Sequence, residues 1–330
     1  MIFMNPDDFW RPFEDTADSF AKASELIFNI TERDPEKQYA WRGVPDAGWA
    51  LQSSLYRRLL WSKQPGQDAP DEKEFAAAEK RVIDSAQKWG LHSGDRGRLS
   101  MFEFLATLQH YGAPTRLIDV TFNPYVALFF ATERAEDDSK DGRIFAVEVT
   151  GRLLNGNEDS LLAGWEQLED VPWNNPAVMP AEHWGHVSYV WKPAGFDRRI
   201  AAQHGAFLLG GVPAAWPGAW PTSTTSGAKW KIDDVRRATS VPVRPHVINR
   251  TAGRPPKDGS AVYSFRITSS AKQAIRQTLL RTFALDHATI YPDFPGYAAF
   301  GVDWLPTKPS GLPAAPSRTT AAGGATTPTP

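Results

Sequence analysis

One stretch of 26 residues constrains the fold of this chain more than any other part of the sequence. LQHYGAPTRLIDVTFNPYVALFFATE, Leu108 to Glu133, joins a polar segment to an apolar helix pattern with almost no spacer. Gly112 and Pro114 predict a turn in the polar half, and Asn123 before Pro124 predicts the start of the helix. The polar side chains must therefore lie against a helix that belongs to the core.

The rest of the chain predicts helices and strands in irregular order. Helices are predicted over 15–29, over 70–89 and from a Ser100 N-cap that precedes Glu103 at capping-box spacing. Strands are predicted at YAWRGVP, GRIFAVEV, AFLL and AVYSFRI. Because no regular βαβ alternation, no Gly-x-Gly-x-x-Gly motif and no P-loop is present, the sequence predicts an α+β fold with a mixed or antiparallel central sheet flanked by helices.

Composition along the chain predicts a single domain with two irregular segments. The domain spans residues 1–305 of the 330. A run rich in Pro, Gly, Ser and Thr from about 212 to 260 predicts a long surface insertion. The Pro, Ala, Gly and Thr run over 306–330 lacks the side chains to build a core and predicts a disordered tail.

Charge and cysteine content exclude several classes of function. With 36 basic and 38 acidic residues, the net charge of -2 argues against bulk binding of nucleic acid. The absence of cysteine excludes disulfides, thiol catalysis and Cys-ligated zinc. The N-terminus does not resemble a secretory signal, and no apolar run approaches the roughly 18 residues of a membrane span. The sequence therefore predicts a cytoplasmic protein with no membrane partner.

Arg42 is the first candidate for a ligand contact. It interrupts an otherwise apolar strand and is followed by Gly43. An unpaired arginine is almost never buried, so Arg42 either forms an ion pair, for example with Asp119, or points into a pocket for an anion such as phosphate. Gly43 allows a ligand or another backbone to approach closely. The sequence leaves these alternatives open.

The polar half of the 108–133 stretch also allows either a structural role or a ligand-binding role. Gln109, Arg116 and Asp119 could form a structural network or a binding site. Thr121 lies at the start of a helix, where free N–H groups attract phosphate, although capping is the commoner role for such a residue.

Two histidines raise the possibility of acid–base chemistry. His110 and His204 each follow a glutamine and precede a turn, and they could act as a general acid and base if the fold brings them together. His110 is the better candidate because its motif is longer. No pair of histidines or of histidine and carboxylate has helical ligand spacing in these motifs, so no metal site is predicted there.

Four segments of the chain resemble the FRG domain family, which is named for a Phe/Tyr-Arg-Gly strand. They are YAWRGV, LQHYGAPTRLIDVTFNPYVALFFATE, RRIAAQHGAFLLGG and TIYPDFPGYAAF, and the resemblance covers most of residues 20–305. The chain differs from the family pattern at Trp41, at Val120 and in the long insertion after Gly211. Proteins of this family resemble components of bacterial and phage conflict systems, of a defence or toxin type.

The order of these segments is also similar to the layout of ADP-ribosyltransferases. That similarity implies that Arg42 positions NAD, that Thr121 supplies the hydroxyl of a second motif and that Gln203 belongs to a third. The third motif normally carries a Glu that stabilises the cationic ribose centre, and QHGAF has none. Because glutamine offers no negative charge, Glu148 and Asp119 are the remaining carboxylate candidates.

These resemblances imply a protein that binds NAD or a related nucleotide as substrate, without a metal, and transfers ADP-ribose to an acceptor that the sequence does not identify. The implied nucleotide-binding residues are Arg42, Gly43, Gln109, Arg116 and Thr121, and the catalytic candidates are His110, Asp119, Glu148 and Gln203. The missing Glu favours a non-catalytic module that binds a nucleotide or phosphorylated ligand. A metal-independent nuclease, with His110 as the base and Arg116 on the phosphate, is the other alternative.

Overall fold

A mixed β-sheet forms the centre of the fold. The computed structural model describes residues 5–94, 97–133, 137–154, 171, 173, 184–193, 198–214, 230–248 and 260–302. Within these residues, eight strands belong to the sheet: β1 (Asp15–Ala17), β2 (Tyr39–Val44), β5 (Ile118–Thr121), β6 (Gly142–Glu148), β7 (Tyr189–Trp191), β8 (Gly205–Leu209), β9 (Val243–His246) and β10 (Ser260–Ile267). A separate hairpin consists of β3 (Ser93–Gly94) and β4 (Gly97–Arg98).

The strand order combines antiparallel and parallel pairs. Across the sheet the order is β1-β10-β6-β2-β5-β8-β7. The strands from β10 to β7 pair antiparallel along this order, whereas β1 and β9 both pair parallel with β10, each along a different half of it. This mixed sheet with flanking helices confirms the predicted α+β class.

The helices begin and end close to the positions that their capping residues indicate. In the described chain they are α1 (Pro6–Trp10), α2 (Phe20–Glu32), α3 (Ser54–Trp61), α4 (Glu72–Lys88), α5 (Met101–His110), α6 (Pro124–Thr132), α7 (Arg198–Ala202), α8 (Ile232–Ala238), α9 (Lys272–Phe283), α10 (His287–Ile290) and α11 (Phe294–Phe300). Ser100 and Glu103 form the predicted capping box of α5. Asn123 caps α6 by accepting a hydrogen bond from the Tyr125 amide.

The first predicted helix starts later than expected. Residues 15–17 form β1 and pair with the end of β10, so α2 begins only at Phe20, after the Ser19 cap. Of the helices in the described stretches, none is both long and apolar enough to cross a membrane.

Each face of the sheet contributes to a separate buried cluster. On one face, α2, α6 and α9 pack over Ile144 and Ala146 of β6. On the other face, α1 and α8 pack over Phe145 and Val147. Because successive side chains of a strand point to opposite faces, β6 serves both clusters and is buried along its whole length.

Helix α6 lies unusually close to the sheet because two strands present glycine beneath it. A Cβ at Gly43 would lie 1.8 Å from the Ala127 carbonyl oxygen, and one at Gly142 would lie 2.5 Å from the Ala131 oxygen. Only glycine permits this approach at either position. The backbone that Gly43 accommodates is thus that of α6.

Part of the predicted surface insertion lies in the core. Within 212–260, the described residues 230–248 include α8 and β9, and Val235 and Val243 are fully buried. Strand β9 lies at the edge of the sheet and pairs with β10, and an edge strand tolerates Pro245 although the composition of this run is that of a loop. Residues 215–229 and 249–259 lie outside the described residues, as does the predicted tail over 306–330.

The sheet separates into two halves between β2 and β5. These strands share a single residue pair, Trp41 with Thr121, whereas β2 pairs with β6 along its full length. A continued ladder would place Gly43 opposite Asp119. The strands diverge instead, and the gap between the two halves becomes a cavity.

Candidate functional site

A cavity of about 340 Å³ lies where the two halves of the sheet separate. Its walls come from β2, β5, the ends of α5 and α6, helix α7 and the segment that follows α10. Most of the residues predicted for the site line it: Arg42, Gly43, Gln109, His110, Asp119, Thr121 and Gln203. Arg116 and Glu148 do not line this cavity.

Arg42 places a desolvated cation at the wall of the cavity. Its Nη1 donates to the main-chain oxygen of Asp119 at 2.6 Å, while its buried Nε has no hydrogen-bond partner among the described residues. Burial lowers the pKa of Arg42; the Asp119 charge opposes this effect and nearby Arg57 reinforces it. Burial also lowers the pKa of Arg57, again opposed by Asp119. The Asp119 carboxylate thus acts electrostatically on both guanidinium groups.

Gln109 and Thr115 orient the Asp119 carboxylate. Gln109 Nε2 donates to Asp119 Oδ1 at 2.7 Å, and its Oε1 accepts a hydrogen bond from the Thr115 hydroxyl. That hydroxyl in turn accepts from the Leu117 amide at 3.2 Å. Both ends of the glutamine amide are therefore engaged, and the exposed Asp119 side chain is held at the cavity.

Thr121 and Gln203 connect the strands that surround the cavity. The Thr121 hydroxyl donates to the Gln203 main-chain oxygen at 2.6 Å and accepts from the Asn123 amide at 3.0 Å. Gln203 Nε2 donates to the Ile290 main-chain oxygen at 3.1 Å. The Thr121 donor is therefore already used within the protein, and both residues hold the cavity together.

The two predicted histidines occupy different environments. His110 is the last residue of α5 and lines the cavity, with its ring edge-on to Tyr111 at 5.0 Å between centroids. His204 is exposed and does not line the cavity; its φ of 48° lies in the left-handed region, in the turn before β8. His110 is thus the histidine that this site can use.

Three further polar residues line the cavity that were not predicted from the sequence: Glu133, Arg199 and Tyr291. Tyr291 donates from its hydroxyl to Glu133 Oε2 at 2.6 Å. Arg199 forms a bidentate ion pair with Asp293, in which Nε and Nη2 donate to the two carboxylate oxygens at 2.7 and 2.8 Å. Its guanidinium carbon lies 5.0 Å from the centre of the Tyr291 ring. The Arg199 hydrogen bond lowers the pKa of Asp293. These residues lie within the four segments that carry the family resemblance. The exposed Trp49, which also lines the cavity, lies outside those segments.

Arg116 is a core residue, which differs from its predicted role in nucleotide binding. Its side chain is 1% exposed and bonds Glu79 at 2.9 to 3.1 Å, and it also contacts Glu72 at 3.0 Å. The Gly210 main-chain oxygen accepts from it at 3.2 Å, and the Phe75 ring lies 4.3 Å from its guanidinium carbon. These partners occupy its donors, so the phosphate contact that the nuclease alternative requires is not available from Arg116.

Glu148 also lies away from the cavity, contrary to its candidacy as the catalytic carboxylate. It ends β6, is 6% exposed and accepts from the Thr150 amide at 3.1 Å. Its carboxylate forms ion pairs with Lys37 Nζ at 3.5 Å and with Arg152 Nη1 at 3.7 Å. The carboxylates that line the cavity are Asp119 and Glu133.

No group of three or more His, Asp or Glu side chains in the described part of the chain is placed to hold a metal ion. The cavity instead combines charge with aromatic surface. Arg42 and Asp119 lie on the sheet side, and Glu133 with Tyr291 lies at the end of α6 and beyond α10. Such an arrangement suits a ligand that has an anionic group, hydroxyl groups and a planar ring.

Comparison with known proteins supports the resemblance over about a third of the chain. The FRG domain family model matches residues 37–140. No curated protein and no solved structure matches the chain. The matched segment contains Arg42, His110, Asp119 and Glu133, whereas Arg199 and the other residues after position 140 complete the cavity from outside it. The chain therefore contains an FRG domain, over residues 37–140.

Proposed function

We propose that the cavity binds NAD or a related nucleotide and that the protein cleaves NAD between nicotinamide and ribose. The observation that supports this most directly is that a desolvated arginine, Arg42, and a carboxylate, Glu133, line the same cavity. The nicotinamide half of NAD carries a phosphate and a cationic ring, so its two charges complement these two side chains.

The anionic end of the ligand would lie against Arg42. The buried Nε–H of Arg42 has no hydrogen-bond partner among the described residues and can donate to a ligand. Arg57 adds a second positive charge close to Asp119. A phosphate oxygen would satisfy this donor and offset the desolvation of the cation. Hydrogen bonds to charged groups of this kind contribute about 1.5–3 kcal/mol each.

Glu133 would stabilise the positive charge that develops on the ribose. Cleavage breaks the bond between the ribose C1′ and the ring nitrogen, and nicotinamide leaves with the bonding electrons. Water or an acceptor group then forms the new bond to C1′ and loses a proton, for which His110 is the base that lines the cavity. A fixed carboxylate beside a developing cation is usually among the largest contributions to catalysis. The hydrogen bond from Tyr291 holds Glu133 in place.

Release of nicotinamide from NAD, with and without cell extract as a source of acceptor, tests the proposal. Glu133→Gln keeps the size and the acceptor oxygen for Tyr291 but removes the charge, so we expect release to fall by roughly a hundredfold or more. Glu32→Gln, at the exposed end of α2, is the matched control and should retain full activity. Equal release by both variants would show that the Glu133 charge does not act in cleavage.

A binding module without catalysis is the second candidate. Gln203 stands where the similar enzymes carry Glu, and the Asp119 carboxylate is engaged by Gln109. In this case NAD would raise the melting temperature of the wild type and of Glu133→Gln equally, with no nicotinamide release. Failure of NAD to raise the melting temperature, together with no release, would reject both candidates.

A role in conflict between bacteria and phages rests on the family resemblance. We expect expression of the wild type to arrest bacterial growth through loss of NAD and expression of Glu133→Gln to permit growth. Measurement of cellular NAD in both cultures would separate this outcome from general toxicity of overexpression.

A further inference from the structure

A second cavity adjoins the first. It has a volume of about 690 Å³ and lies between α10 and α11, and Tyr291 lines both cavities. The first cavity, at about 340 Å³, is at the small end of the roughly 300–1,000 Å³ range of ligand pockets. A dinucleotide would therefore extend beyond the first cavity, and the shared Tyr291 wall leads into the second.

Aromatic rings dominate the second cavity. Phe300 stacks on His287 at 4.2 Å and on Tyr291 at 4.8 Å between ring centres. Phe294 and Tyr297 also line the cavity; they are 90% and 64% exposed and form no ring contact within the described part of the chain. Two aromatic rings that face solvent beside an ordered stack offer a surface for a planar ligand.

The segment that carries these rings is fixed to the first cavity. Asp293 caps α11 by accepting from the Gly296 amide at 2.6 Å, and the same carboxylate binds Arg199. A Cβ at Gly296 would lie 2.3 Å from the Tyr291 main-chain oxygen, so glycine permits the close packing of α11 on Tyr291. The two cavities are therefore held in a defined relative position.

Consecutive arginines lie between the cavities. Arg199 lines the first, and Arg198, which is exposed, lines the second. The pyrophosphate of a dinucleotide connects its two halves, and guanidinium groups bind phosphate oxygens through paired, charge-assisted hydrogen bonds. Arg198 is therefore placed to contact the linking phosphates of a ligand that occupies both cavities.

We infer that the second cavity binds the adenine base of a dinucleotide whose nicotinamide half occupies the first cavity, with Arg198 on the linking pyrophosphate. The inference rests on the proposed function for the identity of the ligand. It adds a separate binding site, which recognises a planar heterocycle by stacking on Phe294 and Tyr297.

Calorimetric titration with NAD, nicotinamide mononucleotide and AMP tests this site. All titrations use protein that carries Glu133→Gln, so that no ligand is consumed. In this background, Phe294→Ala combined with Tyr297→Ala should weaken binding of NAD and AMP by roughly tenfold or more, as expected for the loss of one stacked base. Binding of nicotinamide mononucleotide should not change. Trp89→Ala, which removes an 81% exposed aromatic ring at the end of α4, is the matched control.

The outcomes for the two proposals are distinct. If AMP does not bind, or if AMP and NAD bind the double variant as tightly as its parent, the second site is rejected even where nicotinamide mononucleotide binds. If AMP binding depends on Phe294 and Tyr297 while nicotinamide mononucleotide does not bind, the second site stands and the proposed ligand of the first cavity fails. Arg198→Gln should weaken NAD more than AMP, because NAD carries the full pyrophosphate.

Discussion

Nη1 of Arg42 donates to the main-chain oxygen of Asp119 at 2.6 Å, near the position where a continued strand ladder would place Gly43. The arginine side chain thus substitutes for a hydrogen bond between strands at the point where the sheet divides. Its remaining buried donor has no partner in the described chain. A desolvated cation is a poor means of stabilising a fold, so we expect Arg42 to matter more for binding than for stability.

Replacing Arg42 by methionine should separate binding from stability. We expect Arg42→Met to change the free energy of unfolding by no more than about 1.5 kcal/mol, because an apolar side chain of similar length removes the desolvated charge. NAD affinity should fall by roughly tenfold or more through loss of the charged donor. Urea unfolding and calorimetric titration measure the two effects. A large loss of stability with unchanged affinity would identify Arg42 as structural.

Arg116 should show the opposite behaviour. Arg116→Met leaves Glu79, which is 2% exposed, as a buried carboxylate without its main partner. We expect a loss of about 3–5 kcal/mol in the free energy of unfolding. NAD affinity of the folded protein should equal that of the wild type, because Arg116 does not line the cavity. The same two measurements apply, and a selective loss of affinity here would restore Arg116 to the binding site.

Local signals in the sequence predicted the elements around the site well. The capping box at Ser100 and the Asn123 cap were identified because their hydrogen bonds span only a few residues. Strand β9 was missed since Pro245 conceals an edge strand that exists only by pairing with β10. The burial of Arg116 was also unpredictable, because its partner Glu79 is 37 residues away in the chain.

Distance along the chain also separates the site residues that were predicted from those that were not. Residues close together in one motif, such as Gln109 and Asp119, were found together and do contact each other. Glu133 was not predicted although it ends the same motif, because its hydrogen-bond partner Tyr291 is 158 residues away in the chain. The sequence signal for both is their position, since Glu133 ends the second family segment and Tyr291 lies in the fourth.

Gly43 should tolerate no side chain. Gly43→Ala places a Cβ 1.8 Å from the Ala127 carbonyl oxygen, and neither the strand nor the helix can yield without disturbing the core. We expect a loss of more than about 3 kcal/mol or failure to fold. Gly112→Ala is the control: its φ is 85° but a Cβ would meet nothing within 4 Å, so only about 1–2 kcal/mol should be lost. Thermal and urea unfolding of both variants provide the comparison.

His246 should make the fold less stable in mild acid. Burial lowers its pKa below the usual 6.5, and the nearby charges of Arg33 and Arg244 lower it further. The unfolded chain then binds a proton at a pH where the folded protein does not, so the free energy of unfolding decreases as the pH falls below about 6.5. Stability is therefore retained at neutral pH and lost toward the lower pKa of the folded state.

His246→Gln tests this dependence because glutamine does not titrate. The difference in the free energy of unfolding between about pH 7.5 and about pH 5.5 should be smaller in the variant than in the wild type. Replacing the exposed His204 by Gln is the matched control for the substitution itself. Identical pH profiles for the wild type and His246→Gln would assign the dependence to other groups.

Thr121 should be required for its hydroxyl group and not for its size. The hydroxyl donates to Gln203 and accepts from the Asn123 amide, and the residue is 1% exposed. Thr121→Val keeps the shape but leaves the partly buried Gln203 carbonyl and Asn123 amide without this partner, so we expect a loss of about 1–3 kcal/mol in the free energy of unfolding. Thr121→Ser retains the hydroxyl and should recover most of that loss. If serine destabilises the fold more than valine does, packing of the methyl group rather than the hydrogen bonds holds β5 to the turn that precedes β8.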